Sequence, residues 1–404
     1  MKRRDPPIAA AGVPRRGEPA PWRRWGSDMD ADSLRQMENA CSLPVAVAGA
    51  LMPDAHVGYG LPIGGVLAVR DAVIPYAVGM DIACRMKMSV LDLPPSAIRG
   101  EEGRLRSALE KATVFGVGEG FKKPKDHPVM EEDWGFSPVT RRNRDKARFQ
   151  LGSSGSGNHF VEFGTLTLER AELGLPPGVY TALLSHSGSR GVGGQVATWY
   201  SRLAMDRHRE LPRELKQLAW LDLPGGEGEE YWRAMELMGR YAAANHHLIH
   251  RDLVRLLGAE VIAAVENHHN FAWRERHFGV DVVVHRKGAT PAGAGALGVI
   301  PGSMATPGFV VRGKGTAAAM NSAAHGAGRR MSRTQTRTRY SWQEGRRFLA
   351  GRGVVLISAG LDEVPMGYKD IHAVMAAQAD LVEIVARFDP RLVKMAPEGE
   401  RPED

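Results

Sequence analysis

Apolar and polar positions along the chain follow two rhythms. Between residues 52 and 90 short apolar runs are punctuated by glycine: Gly64–Val69, Ala72–Val78 and Met86–Leu91. Runs of this length, bounded by turn residues, predict buried strands. Further strands are predicted at Tyr180–Ser185, Asp281–His285 and Gly353–Ser358. A helical period appears in Pro94–Ala112, with Ile98, Leu105 and Leu109 on one side, and in Gln195–His208. The longest is Tyr231–Leu257, where Ala234, Met238, Tyr241, Leu248, Leu253 and their neighbours form an apolar stripe. Asp370 is placed to cap a last helix predicted over Asp370–Phe388. Residues 1–30 are rich in proline, arginine and glycine and show no period before Leu34, so they are expected to form a mobile arm, with one domain from residue 31 to 404.

Composition narrows this picture. A chain of 404 residues with 43% hydrophobic content can bury a large core. No apolar run is long enough to span a bilayer, and the basic N-terminus is not followed by an apolar segment of signal-peptide length. Only two cysteines, Cys41 and Cys84, are present, too few for a disulfide framework, and a cytoplasmic location is expected. The formal charge of +7 favours polyanionic partners. Gly328–Arg347 carries Arg329, Arg330, Arg333, Arg337, Arg339, Arg346 and Arg347 beside Tyr340 and Trp342, a mixture suited to phosphates and stacked bases. Lys122, Lys123 and Lys125 lie in a surface loop, Gly116–Pro128, and either touch nucleic acid or are simply solvated.

The candidate chemistry lies in polar interruptions of the apolar pattern. Val78–Arg85 sets Asp81 three residues before Cys84, offering a hard and a soft donor close together; a thiolate can bridge two divalent ions. Asp54 and His56 are candidates for orienting a ligand. A Gly/Ser loop beginning at Leu151 ends in Asn158-His159 before an apolar strand that contains Glu162. Such a loop offers amides and hydroxyls to phosphate, and the carboxylate suits the N–H edge of guanine. His186 ends a strand, and Arg190 follows as an oxyanion partner. His246 and His250 have a zinc-like spacing on the long helix but lack an intervening glutamate, and are read as a polar helix face rather than a metal site. A polar knot at 265–271 holds His268 and His269, of which one is expected to face the site. Lys287, Thr290 and Ser303 sit in two glycine-rich loops and can donate to phosphate oxygens. His325, among small residues with Ser322 and Arg329 nearby, suits a metal ligand, a general base or a nucleophile toward phosphorus.

These segments, in this order, resemble the RtcB-type RNA ligases. The resemblance runs from about Leu51 to Lys394 and rests on Met52–His56, Gly79–Cys84, Gly155–Phe160, His186–Gly191, His268–Asn270, His325–Arg329 and Met366–Asp370. It implies a mixed α/β (α+β) fold: one compact domain of layered mixed β-sheets flanked by helices around a central metal pocket. It further implies two Mn2+ ions bound by Asp81, Cys84, His159, His186 and His269, with the Cys84 thiolate bridging. His269 is preferred to His268 because the family's ligand directly precedes the asparagine. His325 matches the histidine that attacks the α-phosphate of GTP. Asn158 and Ser303 fall where the family handles nucleotide phosphates, Glu162 and Lys394 where it reads guanine. The reaction implied is the joining of RNA 2′,3′-cyclic phosphate or 3′-phosphate ends to 5′-hydroxyl ends in tRNA splicing and RNA repair, and an archease-type activator is a partner by analogy. Arg85 departs from the pattern, standing where many members carry glycine, and the basic start is also unlike them.

Two rivals compete with ligation. A metal-dependent phosphoesterase acting on cyclic phosphate ends would need the metal ligands but not His325 as nucleophile. A non-catalytic RNA-binding protein retaining the fold would tolerate loss of Cys84.

Overall fold

A computed structural model describes residues 17–401. An eight-stranded sheet dominates it. Its order is Leu297–Ile300, Gly308–Gly313, Val382–Met395, Phe160–Leu168, Gly178–Ser187, Arg85–Leu91 and Val261–His268, all antiparallel, with Val355–Ser358 joining Val382–Met395 in parallel. Both faces are covered, which is why these strands read as nearly continuous apolar runs. On one face Val161, Phe163 and Leu183 pack with Ile249 and Leu253 of the helix Gly226–Leu257. On the other, Met86, Met88, Leu166 and Leu184 pack with Val299 and Val310, because the sheet curls round on itself. Asn267 joins the two ends of the curl: its side-chain oxygen accepts from Val299 N–H (2.8 Å) and its amide donates to the Val299 carbonyl (3.3 Å).

A second, five-stranded sheet runs Trp22–Arg24, Ala46–His56, Ile63–Val69, Val280–Lys287 and Phe271–His277. Trp22–Arg24 pairs in parallel with Gly49–Leu51, and the indole of Trp25 donates to Asp380. Part of the stretch expected to be an arm is therefore built into this sheet; residues 1–16 lie outside the described residues.

Three predicted elements differ from the structure. The run Ala72–Val78 is only a two-residue strand, Ala72–Val73, followed by a helical turn Pro75–Val78, because Pro75 pre-sets a helical φ and donates nothing to a ladder. The helix predicted over Asp370–Phe388 keeps its Asp370 cap but stops at Ala377, and Val382–Met395 is a long strand. There Val382, Ile384, Ala386 and Phe388 also recur with period two, and burial in the sheet decides the ambiguity. The knot at 265–271 is the end of the strand Val261–His268 and a tight turn into Phe271–His277.

Candidate active site

Antiparallel register gathers the predicted ligands. Arg85 pairs with Ser187 on one side and His268 on the other, and Phe160 pairs with His186. Cys84 and His159 immediately precede their strands, His186 closes one and His269 immediately follows another. All four therefore meet at one end of the curled sheet, beside Asp81.

The donor atoms face one another closely. Cys84 Sγ lies 3.0 Å from His186 Nε2 and 3.3 Å from His159 Nε2, while His186 Nε2 and His269 Nε2 are 3.3 Å apart. Two sets, Asp81/Cys84/His159 and Cys84/His186/His269, share the thiol, and within each set the donor atoms lie within 4.8 Å of one another. Every member is buried. His186 Nδ1–H donates to the Asn158 carbonyl (3.1 Å), leaving Nε2 aimed at the cluster. Burial, followed by the neighbouring His159, lowers the His186 pKa to about 3, and burial likewise lowers His269 well below the usual value. These imidazoles are neutral and ready to ligate. Burial pushes the Asp81 carboxyl upward, but its hydrogen bond and charge interaction with His159, helped by Arg190, outweigh that and hold it well below the ordinary carboxylate range. A Cβ at Gly188 would stand 2.1 Å from Asp81 Oδ2, so the close approach of this loop requires glycine.

The surroundings of the cluster hold several groups whose roles the sequence did not reveal. Asn270, at φ +59°, donates to the Asp81 carbonyl, accepts from Gly288 N–H and offers its own carbonyl to Ala83 N–H. It thereby ties together the loops carrying Asp81, Cys84 and His269. His246 and His250 are not a polar helix face but are buried against the sheet. His246 contacts Ser185 Oγ (2.7 Å) and the Ser187 carbonyl (3.1 Å), and His250 contacts Ser185 Oγ and Ser89 Oγ (both 2.8 Å). They brace the strand bearing His186 from behind. Arg190 is also behind the site, donating to His159 Nδ1 and the Gly188 carbonyl. Arg85 points away from the cavity, pairing with Glu266 and donating to the Gly239 carbonyl at 3.2 Å. His268 packs its ring against Phe271 and Trp273, so His269 is the one that faces the cluster.

The cluster opens into a cavity of about 810 Å³ that is also lined by His325. Its Nδ1 lies 2.7 Å from Asp54 Oδ2, and that same oxygen accepts from the backbone N–H groups of His325 and Gly326. Asp54 is fully buried. A carboxylate on Nδ1 fixes the tautomer that leaves Nε2 with its lone pair. The His325 ring centroid is 4.8 Å from that of His269, which brings the two ends of the cavity together.

Glu162 lines the cavity together with the apolar side chains of Phe160, Met304, Phe388, Val393 and Met395. Burial alone pushes its carboxyl well above the usual range. Asn158, Ser303, Lys287 and Arg329 also line the cavity. Lys287 is buried, donates to the Tyr59 carbonyl (2.5 Å), and is lowered by burial to about 7. Arg329 is held by the Asp362 carbonyl, with Glu363 and Tyr368 nearby. Thr290 is buried and accepts from the Asn267 amide (2.9 Å), away from the lining. Lys394 faces the other way from its neighbours Val393 and Met395: its ammonium donates to Thr113 Oγ1 (3.0 Å) and carbonyl (3.2 Å). Strand alternation makes that separation unavoidable.

A buried group of one thiol, one carboxylate and three imidazoles, able to hold metal ions and sharing a cavity with a carboxylate-held histidine, is compatible with a metal-dependent enzyme centre. Comparison with known proteins makes this specific: the family model for tRNA-splicing ligase RtcB matches residues 36–136 and 120–395, and the chain belongs to the RtcB family. It is 34% identical to the RNA-splicing ligase RtcB of Escherichia coli K12 over 91% of this chain and 95% of the relative. It is 31% identical to the tRNA-splicing ligase RtcB of Nanoarchaeum equitans, covering 94% and 96%, and 31% identical to the RNA-splicing ligase RtcB of Mycobacterium tuberculosis, covering 88% and 98%. No helix among the described residues is long and apolar enough to cross a membrane.

Proposed function

We propose that this chain is a GTP-dependent RNA ligase that joins 3′-phosphate or 2′,3′-cyclic phosphate ends to 5′-hydroxyl ends. The observation that carries this reading is the juxtaposition of the Asp54–His325 pair and the shared-thiol cluster across one cavity. The donor set fits two divalent ions: one thiol, one ionised carboxylate and three imidazoles, with His269 Nδ1 buried and lacking a hydrogen-bond partner among the described residues. Manganese is the ion proposed, held by Asp81, Cys84 and His159 at one position and by Cys84, His186 and His269 at the other. Such ions, when bound, neutralise phosphate charge and align it for in-line attack.

The chain's own groups do the rest. Asp54 holds Nδ1–H, so His325 Nε2 attacks the α-phosphorus of GTP; the N–P bond forms as the bond to the bridging oxygen breaks and pyrophosphate leaves. The positive charge that develops on the ring is stabilised by Asp54. GMP then passes to an RNA 3′-phosphate, a cyclic end having first been opened by water, and the 5′-hydroxyl displaces GMP. Glu162, whose carboxyl burial raises well above the usual range, faces the guanine edge. Asn158, Ser303, Lys287 and Arg329 face phosphate. Lys394 remains a proposed guanine contact only if its strand end rearranges on binding. Both cysteines are buried, and a location in the reducing cytoplasm is proposed. An archease-type activator is proposed as a partner.

The test is to supply RNA fragments with 3′-phosphate and 5′-hydroxyl ends, manganese and GTP. Joined product that requires GTP and is lost in His325→Ala is the expected result. Hydrolysis of cyclic ends without joining, and without any need for GTP, would instead assign a phosphoesterase.

A further inference from the structure

A second basic surface lies outside the cavity, where the helices Glu102–Ala112 and Gly226–Leu257 both end against the loop after Thr113. A shallow pocket of about 360 Å³ there is lined by Lys111, Lys123, Lys125, Arg251 and Arg255, with Asp252 its only carboxylate. Two helix C-termini attract cations, which accounts for one or two of these charges but not for five. Asp252 is already shared: Lys125 Nζ sits 3.0 Å and Arg251 2.8 Å from its oxygens. Burial, and after Asp252 the charges of Arg251 and Arg255, act on the Lys125 ammonium, whose pKa falls below the usual lysine value. Among the described residues five cations line this pocket with one carboxylate.

Flat rings are interleaved with the charge. Lys125 lies 3.6 Å over the centroid of Phe121. Phe149 is 42% exposed and packs on Gly120, where a Cβ would meet its ring at 2.8 Å. The patch is also continuous with the catalytic end of the molecule. A Cβ at Gly152 would touch the Lys125 side chain, and Gly152 opens the loop that carries Asn158 and His159. Backbone bonds from Ser154 to Val114 and from Gly116 to Gly155 fasten that loop to the one bearing the lysines.

We infer that this patch is a docking surface for single-stranded RNA, holding the backbone of the substrate strand at a distance from the end that reacts. An exposed ring for stacking, Phe149, and cations for successive phosphates fit a single strand rather than a duplex. The inference rests on the RNA-ligase reading. Its test measures binding of a single-stranded RNA of about 20 nucleotides, longer than a single-strand site usually occupies, against salt. Wild type is compared with the triple variant Lys111→Ala/Lys123→Ala/Arg255→Ala and with Phe149→Ala.

The triple variant should flatten the log–log salt dependence by about 2, each phosphate contact contributing about 0.7, and weaken binding roughly tenfold at moderate salt. Phe149→Ala should weaken binding without changing the slope. Binding of a trinucleotide with a 3′-phosphate and self-labelling by GTP should be unchanged in both, showing that the variants are folded. Unchanged affinity and slope for the long RNA would overturn the inference while leaving ligation intact. Loss of poly-glutamate binding with RNA binding intact would assign the surface to an acidic protein and also overturn it. A wild-type protein that neither labels with GTP nor joins RNA would fail the ligase reading on separate grounds.

Discussion

The two ends of the cavity are built on opposite principles. At the cluster, donors from four adjacent strand ends crowd within hydrogen-bonding distance, and three imidazoles have one carboxylate and one thiol among them. Such a donor group is compatible with bound cations. At the other end His325 is already oriented, with a buried carboxylate on its ring and its backbone. Although the His269 and His325 rings lie 4.8 Å apart, His325 is held by Asp54 rather than by the cluster, so metal loss and nucleophile loss are expected to be separable.

The largest expected effect is at the shared thiol. Cys84→Ala should leave neither cation position with its full set, so manganese affinity measured by calorimetry should fall by more than the roughly 10- to 100-fold typical of removing an outer support. His325→Ala should retain two bound ions by the same measurement yet form no covalent product; loss of metal there would break the comparison. Asp54→Asn sharpens it further, because the amide can donate to Nδ1 and fix the wrong tautomer. Self-labelling should slow by about 10²- to 10⁴-fold, as for other carboxylate-held histidines, with ion content unchanged. The smallest effect concerns Lys287. Burial lowers it to about 7, so its positive charge is present below that pH and lost above it. Binding of GTP should therefore weaken as pH rises from 6 to 8, and Lys287→Met should bind less tightly at pH 6 and lose that part of the pH dependence.

Much of the site was legible because its residues interrupt apolar strands at their ends. Cys84, His159 and His186 each stand where a strand begins or finishes, and Asp81 lies in the loop that leads into Arg85–Leu91. What sequence could not supply was pairing across long separations. Asp54 is a candidate in the sequence for orienting a ligand, but the histidine it contacts is 271 positions away. The arginine-rich stretch reads as suited to phosphates and stacked bases, yet Arg333 and Arg337 pair with Asp362, and Arg329 and Arg333 with Glu363. His246 and His250 showed helical spacing, but only the packing of their helix on the sheet reveals two buried braces rather than a solvated face. Lys394 shows the limit set by alternation: one residue in either direction on its strand faces the cavity, and the lysine does not. The mixed α/β class was implied by family resemblance, while the curl closed through Asn267 depends on a side chain bonding to backbone 32 residues on.

The most direct measurement is incubation of the purified protein with manganese and α-labelled GTP, followed by denaturing separation, alongside His325→Ala. The account predicts label that stays on the wild-type chain, is released by acid as a phosphoramidate should be, and is absent from the variant. Label that persists in His325→Ala, or a wild-type chain that takes up none with any divalent metal, would contradict it.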